Sequence, residues 1–245
     1  LTLSVLMEIN QHGAVVKSSF HESIIHSKAR LNYGEVTQYV DGKNEDFGNL
    51  YPFLRNEMAW LKELTQILEK KRQDRGSIDF DFDEAKIILD EEGKVAEVKP
   101  YDRGISNQMI EECMLVCNET VAEFFARKEL QFVYRVHSNP REERMAIFDA
   151  FLETLGYKLS SLEEIDQKEL QALLEETKEV SGGKTIQLLL LRSMMQARYA
   201  SECNGHFGLA TPYYTHFTSP IRRYPDLQIH RILKEYLHKE LSKTR

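Results

Sequence analysis

The densest concentration of reactive side chains lies in Tyr213–Arg231, which reads YYTHFTSPIRRYPDLQIHR. Thr218 or Ser219 can cap a helix, and Pro220 suits its first position, where the missing N–H would have had no partner. Arg222 and Arg223 then fall in the first turn, at the positive end of the helix dipole, where two cations cost stability unless an anion or carboxylate faces them. Two arrangements satisfy that requirement. One is a phosphate site built from guanidinium forks; the other is an arginine paired with a buried carboxylate such as Asp226. Pro225 removes a backbone donor one turn later and is expected to kink the element.

Aromatic residues surround this segment: Phe207, Tyr213, Tyr214, Phe217 and Tyr224. Aromatics interleaved with cations suit single-stranded nucleic acid, each stacked base being worth roughly 1 to 3 kcal/mol, and core packing accounts for aromatics equally well. Asp79, Asp81 and Asp83 alternate along an extended stretch and share a face. They are read as a solvated acidic edge that discourages strand pairing, not as a metal centre, which for two-metal hydrolysis must hold cations about 3.5 to 4 Å apart. Cys113 and Cys117 share a helix face without a second ligand pair and are read as small apolar residues. His206, His216 and His230 lack a metal-ligand spacing, and His21 and His26 fall on opposite faces of a strand. No Ser, His and Asp arrangement or phosphate-cradling glycine loop is evident.

These residues need elements to hold them, and composition says that such elements can form. The chain has 245 residues, 42% hydrophobic, with 12 Gly and 6 Pro, enough to bury a sizeable core without disulfides or structural metal. Its longest apolar run, Leu188 to Leu191, is far short of the ~20 residues that span a bilayer. The three cysteines cannot all pair, and none lies in a Cys-x-x-Cys motif, which suggests a reducing, cytoplasmic setting. The net charge of −7 is unevenly spread: residues 184–245 carry +6 and the rest −13. The C-terminal quarter is thus a candidate anion-binding region.

Alternation over Leu3, Val5, Met7 and Ile9, a break at Gln11–Gly13 and a second run from Ala14 to Phe20 predict a hairpin. Asn32 can cap a helix through Val40. Leu54, Met58, Leu61, Leu64 and Leu68 predict a long helix over about 50–73. Ile78–Phe82, Lys86–Asp90 and Val95–Val98 read as extended, the last two joined by a turn. Ile110 to Phe124 reads as a second long helix, and Gln131 to His137 as a strand with Phe132, Tyr134 and Val136 on one side. Helices follow over Arg141–Leu155, Asp166–Thr177 and Thr185–Tyr199. The expected class is α+β: small mixed sheets, several packed helices and a helix-rich second half, without repeats or a linker between domains.

THFTSPIRRYPDL at 215–227 resembles the signature of the RNB catalytic domain shared by ribonuclease II and ribonuclease R. HFGLA at 206–210, IEECMLVCN at 110–118, YRVH at 134–137, GSIDFDFDEAK at 76–86 and HSKARLNYGEV at 26–36 extend it over nearly the whole chain, closest to ribonuclease R. The resemblance implies a processive 3′ to 5′ exoribonuclease that uses magnesium and releases nucleoside 5′-monophosphates from single-stranded RNA. It implies that Arg222 contacts the scissile phosphate, a task suited to a planar, permanently charged fork. Tyr33 takes the place of an aromatic packed on the terminal nucleotide, Phe80 that of a second stacking aromatic, and Glu111 that of a carboxylate accepting hydrogen bonds from base or sugar. Arg223 joins them as an RNA contact.

The family's aspartate cluster, of D-x-D-D type, is missing from these residues and is expected upstream of Leu1, with cold-shock and S1 domains also outside the chain. Residues 1–245 are therefore expected to be a single partial RNB domain, binding no magnesium by itself and inactive alone, with no membrane contact or obligate protein partner. One alternative is a non-catalytic RNA-binding or scaffolding relative. Another is a helical interaction domain that keeps these motifs only for packing.

Overall fold

A computed structural model describes residues 1–80, 85–100 and 103–240. The chain opens with an antiparallel hairpin of β1 (Thr2–Ile9) and β2 (Val15–Ser23), in register Val5 to Phe20, with an irregularity between Glu8 and Ile9. Asn32 caps α1 (Tyr33–Val40), its side chain accepting from the Glu35 N–H at 2.9 Å. Next come α2 (Glu45–Leu50), capped in the same way by Asn44, and a single 3₁₀ turn at Pro52–Leu54. The long helix α3 runs over Arg55–Asp74 and begins later than the periodicity predicts, because Pro52 imposes a tighter turn before it. A second hairpin joins β3 (Ala85–Leu89) to β4 (Val95–Pro100). Residues 78–80 are in no ladder; Asp81, Phe82 and Asp83 lie outside the described residues.

The second half is built on α4 (Ile105–Arg127), β5 (Tyr134–Val136), α5 (Glu142–Thr154), α6 (Gln167–Thr177), α7 (Gly183–Ser193), β6 (Arg198–Ala200) and α8 (Tyr224–Leu237). Two expectations are corrected here. The helix expected over Thr185–Tyr199 stops at Ser193; Met194 turns extended, and Arg198–Ala200 pairs with Tyr134–Val136 across more than 60 residues. Such pairing competes with local helix propensity and leaves no trace in periodicity. The last helix starts at Tyr224, not Pro220. The proline in its first turn is Pro225, where it is tolerated and no kink results.

Two apolar cores form. Met145, Phe148, Leu152, Leu170, Leu173, Ile186 and Leu190 bury the facing sides of α5, α6 and α7, with Ile78 added from a loop and Phe207 from a 3₁₀ turn at Phe207–Leu209. Val121, Ala122 and Phe125 of α4 pack with Phe20, Phe132, Tyr134, Val136, Phe217, Ile229 and Leu233 in the other. Phe125 and Phe132 stack there at 4.2 Å. Both α4 and α8 thus present one apolar side to a shared interior, which fixes the loop between β6 and α8.

Candidate functional site

That loop is held by side chains from three directions. The Thr215 hydroxyl donates to the Val133 carbonyl at 2.7 Å, and the buried Asn118 of α4 accepts from the Phe217 N–H at 2.9 Å. His230 of α8 places Nε2 2.9 Å from the Phe217 carbonyl oxygen. The fully buried Asp226 accepts from the Ser219 N–H and from Arg223 Nη2, both at 2.8 Å. A carboxylate in the first turn of α8 complements the helix dipole and absorbs one of the two cations.

The two arginines therefore part company. Both precede the helix instead of lying within it. Arg223 is its N-cap, in extended conformation, with its guanidinium on Asp226. Arg222 follows a turn in which its N–H reaches the Ser219 carbonyl, and its side chain is exposed without an ion pair or hydrogen bond among the described residues. Ile221 and Tyr224 beside it are also exposed. The result is a free, permanently charged fork on a backbone anchored at each end, an arrangement suited to binding an anion.

Tyr33 and Glu111 are brought near each other through α1 and α4. Tyr33 opens α1 with its ring half-exposed, and its carbonyl accepts from the Ser106 hydroxyl of α4 at 2.8 Å. Glu111 lies five residues further along α4, about 7.5 Å of helix rise, with Oε2 2.9 Å from Arg103 Nη2. Phe80 sits elsewhere, half-buried against the core between α5, α6 and α7.

A residue that the sequence did not single out links these places. Arg72, near the end of α3, binds Glu112 of α4 through Nε at 2.8 Å, and Nη1 reaches Ser77 and Asp79. Burial works against its charge, but the Asp79 hydrogen bond and the charges of Asp79 and Glu112 outweigh it, so its pKa stands above the ordinary value. Burial lifts the Glu112 carboxyl, against the pull of Arg72. Glu111 and Phe80 are the immediate chain neighbours of Glu112 and Asp79, so Arg72 fixes the backbone from which both project. Asp79 is exposed, as the acidic-edge reading has it, and its carboxylate is in addition engaged by this arginine. A separate pair, Arg75 with Glu119, ties α3 to α4, and Arg75 Nε also donates to the Leu209 carbonyl at 3.1 Å.

The histidines form a ring succession: His137 to His206 at 5.0 Å, His206 to Tyr214 at 5.3 Å, and Tyr214 to His216 at 5.6 Å. Burial, reinforced by His137 and Arg135, lowers the His206 pKa to about 3. Burial, then Arg223, lowers that of His216 to about 4. Both rings are neutral near pH 7. Cys113 and Cys117 are half-buried free thiols, Cys117 pushed up to about 12 by burial and by Cys113, which leaves neither a ready nucleophile. Among the described residues, no group of three or more His, Cys, Asp or Glu side chains could hold a metal ion, and no helix is long and apolar enough to cross a membrane. The donor set among the described residues does not fit a magnesium pair.

Ribonuclease R 1 of Lactococcus lactis is 44% identical over 236 residues, covering 96% of this chain and 29% of that protein. The structure of Mycoplasma genitalium RNase R in complex with ribose methylated single-stranded RNA superposes with a TM-score of 0.87 at 28% identity, over 96% of this chain and 36% of that one. A yeast pseudonuclease shares the fold alone, with a TM-score of 0.72 at 21% identity. The chain thus spans about a third of the length of the ribonuclease R relatives it matches. The pattern of the RNB domain matches residues 1–239, and the chain belongs to the RNB domain family.

Proposed function

We propose that the chain is part of a 3′ to 5′ exoribonuclease that hydrolyses single-stranded RNA to nucleoside 5′-monophosphates, and that Arg222 is its phosphate-contacting residue. One observation carries the reading. Of two adjacent arginines, Asp226 neutralises Arg223 and leaves Arg222 exposed and unpaired on an anchored loop. As water attacks phosphorus and the bond to the 3′ oxygen breaks, charge gathers on the non-bridging oxygens. A guanidinium already aimed at them stabilises that charge without reorganising. Tyr33 offers a half-exposed ring for the terminal nucleotide, and Phe80 supports a second base from the core edge. Glu111 keeps Oε1 clear of Arg103, so it can accept from a 2′-hydroxyl, the group that distinguishes RNA from DNA. Arg223 acts mainly by orienting the turn. Magnesium belongs to the complete enzyme in this reading, held by residues other than those described.

Arg222→Ala in the complete protein tests the assignment. The expected result is a fall in kcat of about 10²- to 10³-fold with RNA affinity changed much less, because the contact strengthens in the transition state. A second reading is an RNA-binding relative without catalysis. It predicts that Arg222→Ala weakens binding and that there is no turnover to lose.

A further inference from the structure

The β5–β6 pair has two unlike faces. Tyr134 and Val136 point into the core, while Arg135 lies opposite Tyr199 on the other side. The Arg135 guanidinium stands 4.8 Å from the centre of the Tyr199 ring, and it makes no ion pair or side-chain hydrogen bond among the described residues. The Tyr199 hydroxyl is 2.8 Å from His216 Nδ1. His216 is two residues before Thr218, on the anchored loop, and lies close enough to Arg135, Arg222 and Arg223 for each to bear on its charge. Asp226, the carboxylate that also acts on His216, is fully buried and occupied by Arg223 and Ser219. A cation without an ion pair among the described residues, an aromatic ring against it and an imidazole thus lie together beside the loop that carries Arg222.

We propose that Arg135, Tyr199 and His216 form a second contact for single-stranded RNA, taking the phosphodiester and base adjacent to the phosphate held by Arg222. This rests on the reading of Arg222 given above. Single-stranded RNA suits the arrangement because an arginine laid on a tyrosine offers both a cation for the backbone and a flat edge for a base, while nothing there selects a base edge. A small anion would use the cation and leave the aromatic idle.

The test is fluorescence anisotropy of the 245-residue chain with a short 5′-labelled oligoadenylate, over a range of salt concentrations, for the unaltered chain and the Arg135→Gln, Arg135→Lys and Arg222→Ala variants. Losing one phosphate contact should weaken binding by Arg135→Gln about tenfold and make the slope of log K against log salt shallower by about 0.7. Arg135→Lys should keep the slope and lose only part of the affinity, which a merely structural role for the side chain would not produce. Adenosine 5′-monophosphate, tested as competitor, should bind equally well to the unaltered and Arg135→Gln chains. If the unaltered chain binds and Arg135→Gln matches it in affinity and slope, the second contact is overturned, while the Arg222 reading stands on its own kcat test. If the unaltered chain does not bind the oligoadenylate, the second contact is overturned.

Discussion

Arg222 and Arg223 are the same side chain twice, yet they end in opposite states, and the difference lies in one buried oxygen. Asp226 Oδ1 holds both the Ser219 N–H and Arg223, so the turn can form only with Arg223 inward, and Arg222 is left to solvent. Residue type alone raised both the phosphate and the carboxylate possibilities; the structure uses one for each arginine. The histidines show the same dependence on surroundings. His206 and His216 have folded pKa values near 3 and 4, below the ~6.5 expected unfolded. A depressed folded value means that the unfolded chain binds the protons more tightly, so this part of the stability is complete above pH 6.5 and is lost as pH falls toward 4. Thermal melts should therefore show Tm falling between pH 7 and pH 4. His216→Asn should shallow that fall, even if its Tm at pH 7 is lower. An unchanged slope would mean that His216 is not held neutral by the fold.

At the scale of elements, α3 and α4 are joined by charged pairs to an extent that their apolar patterns do not suggest. Only Thr65 and Leu68 are buried on α3, while Arg72 and Arg75 reach Glu112 and Glu119 across the contact. Removing one partner of a buried pair leaves an uncompensated charge and typically costs about 3 to 5 kcal/mol. Arg72→Met should lose about that much in denaturant unfolding, whereas Arg72→Met with Glu112→Leu should recover most of it. If the double variant is no more stable than the single one, Arg72 is acting through Asp79 and Ser77 instead. The helical stripes of α5, α6 and α7 and the cap of α1 were legible because they arise from contacts three or four residues apart. The end of α7 and the start of α8 were not. The first depends on pairing with a strand far away in the chain, and the second on which of two prolines falls in the first turn, a choice made by the buried Asp226.

For the whole molecule, the relevant fact is that the chain covers about a third of the length of its ribonuclease R relatives. Binding and bond cleavage are then expected to separate. The 245-residue chain, incubated with magnesium and a 3′-tailed RNA, should bind the RNA but release no mononucleotides, as read by chromatography of the products. Release abolished by Asp79→Asn would place a working metal site in the 76–86 segment and refute the assignment of magnesium to other residues.

Sequence by itself determined the α+β class, the helix and hairpin positions set by local periodicity, the RNB motifs in their order, and the uneven charge that marks the C-terminal quarter. These are short-range or additive properties, and each can be counted along the chain. Tertiary structure alone decided which arginine is free, that Arg72 ties α3 to α4 and Asp79, and that Arg135 meets Tyr199 and Tyr199 meets His216. Each of these requires residues distant in sequence to meet, and in a folded interior the choice of partner belongs to packing, which no spacing along the chain encodes.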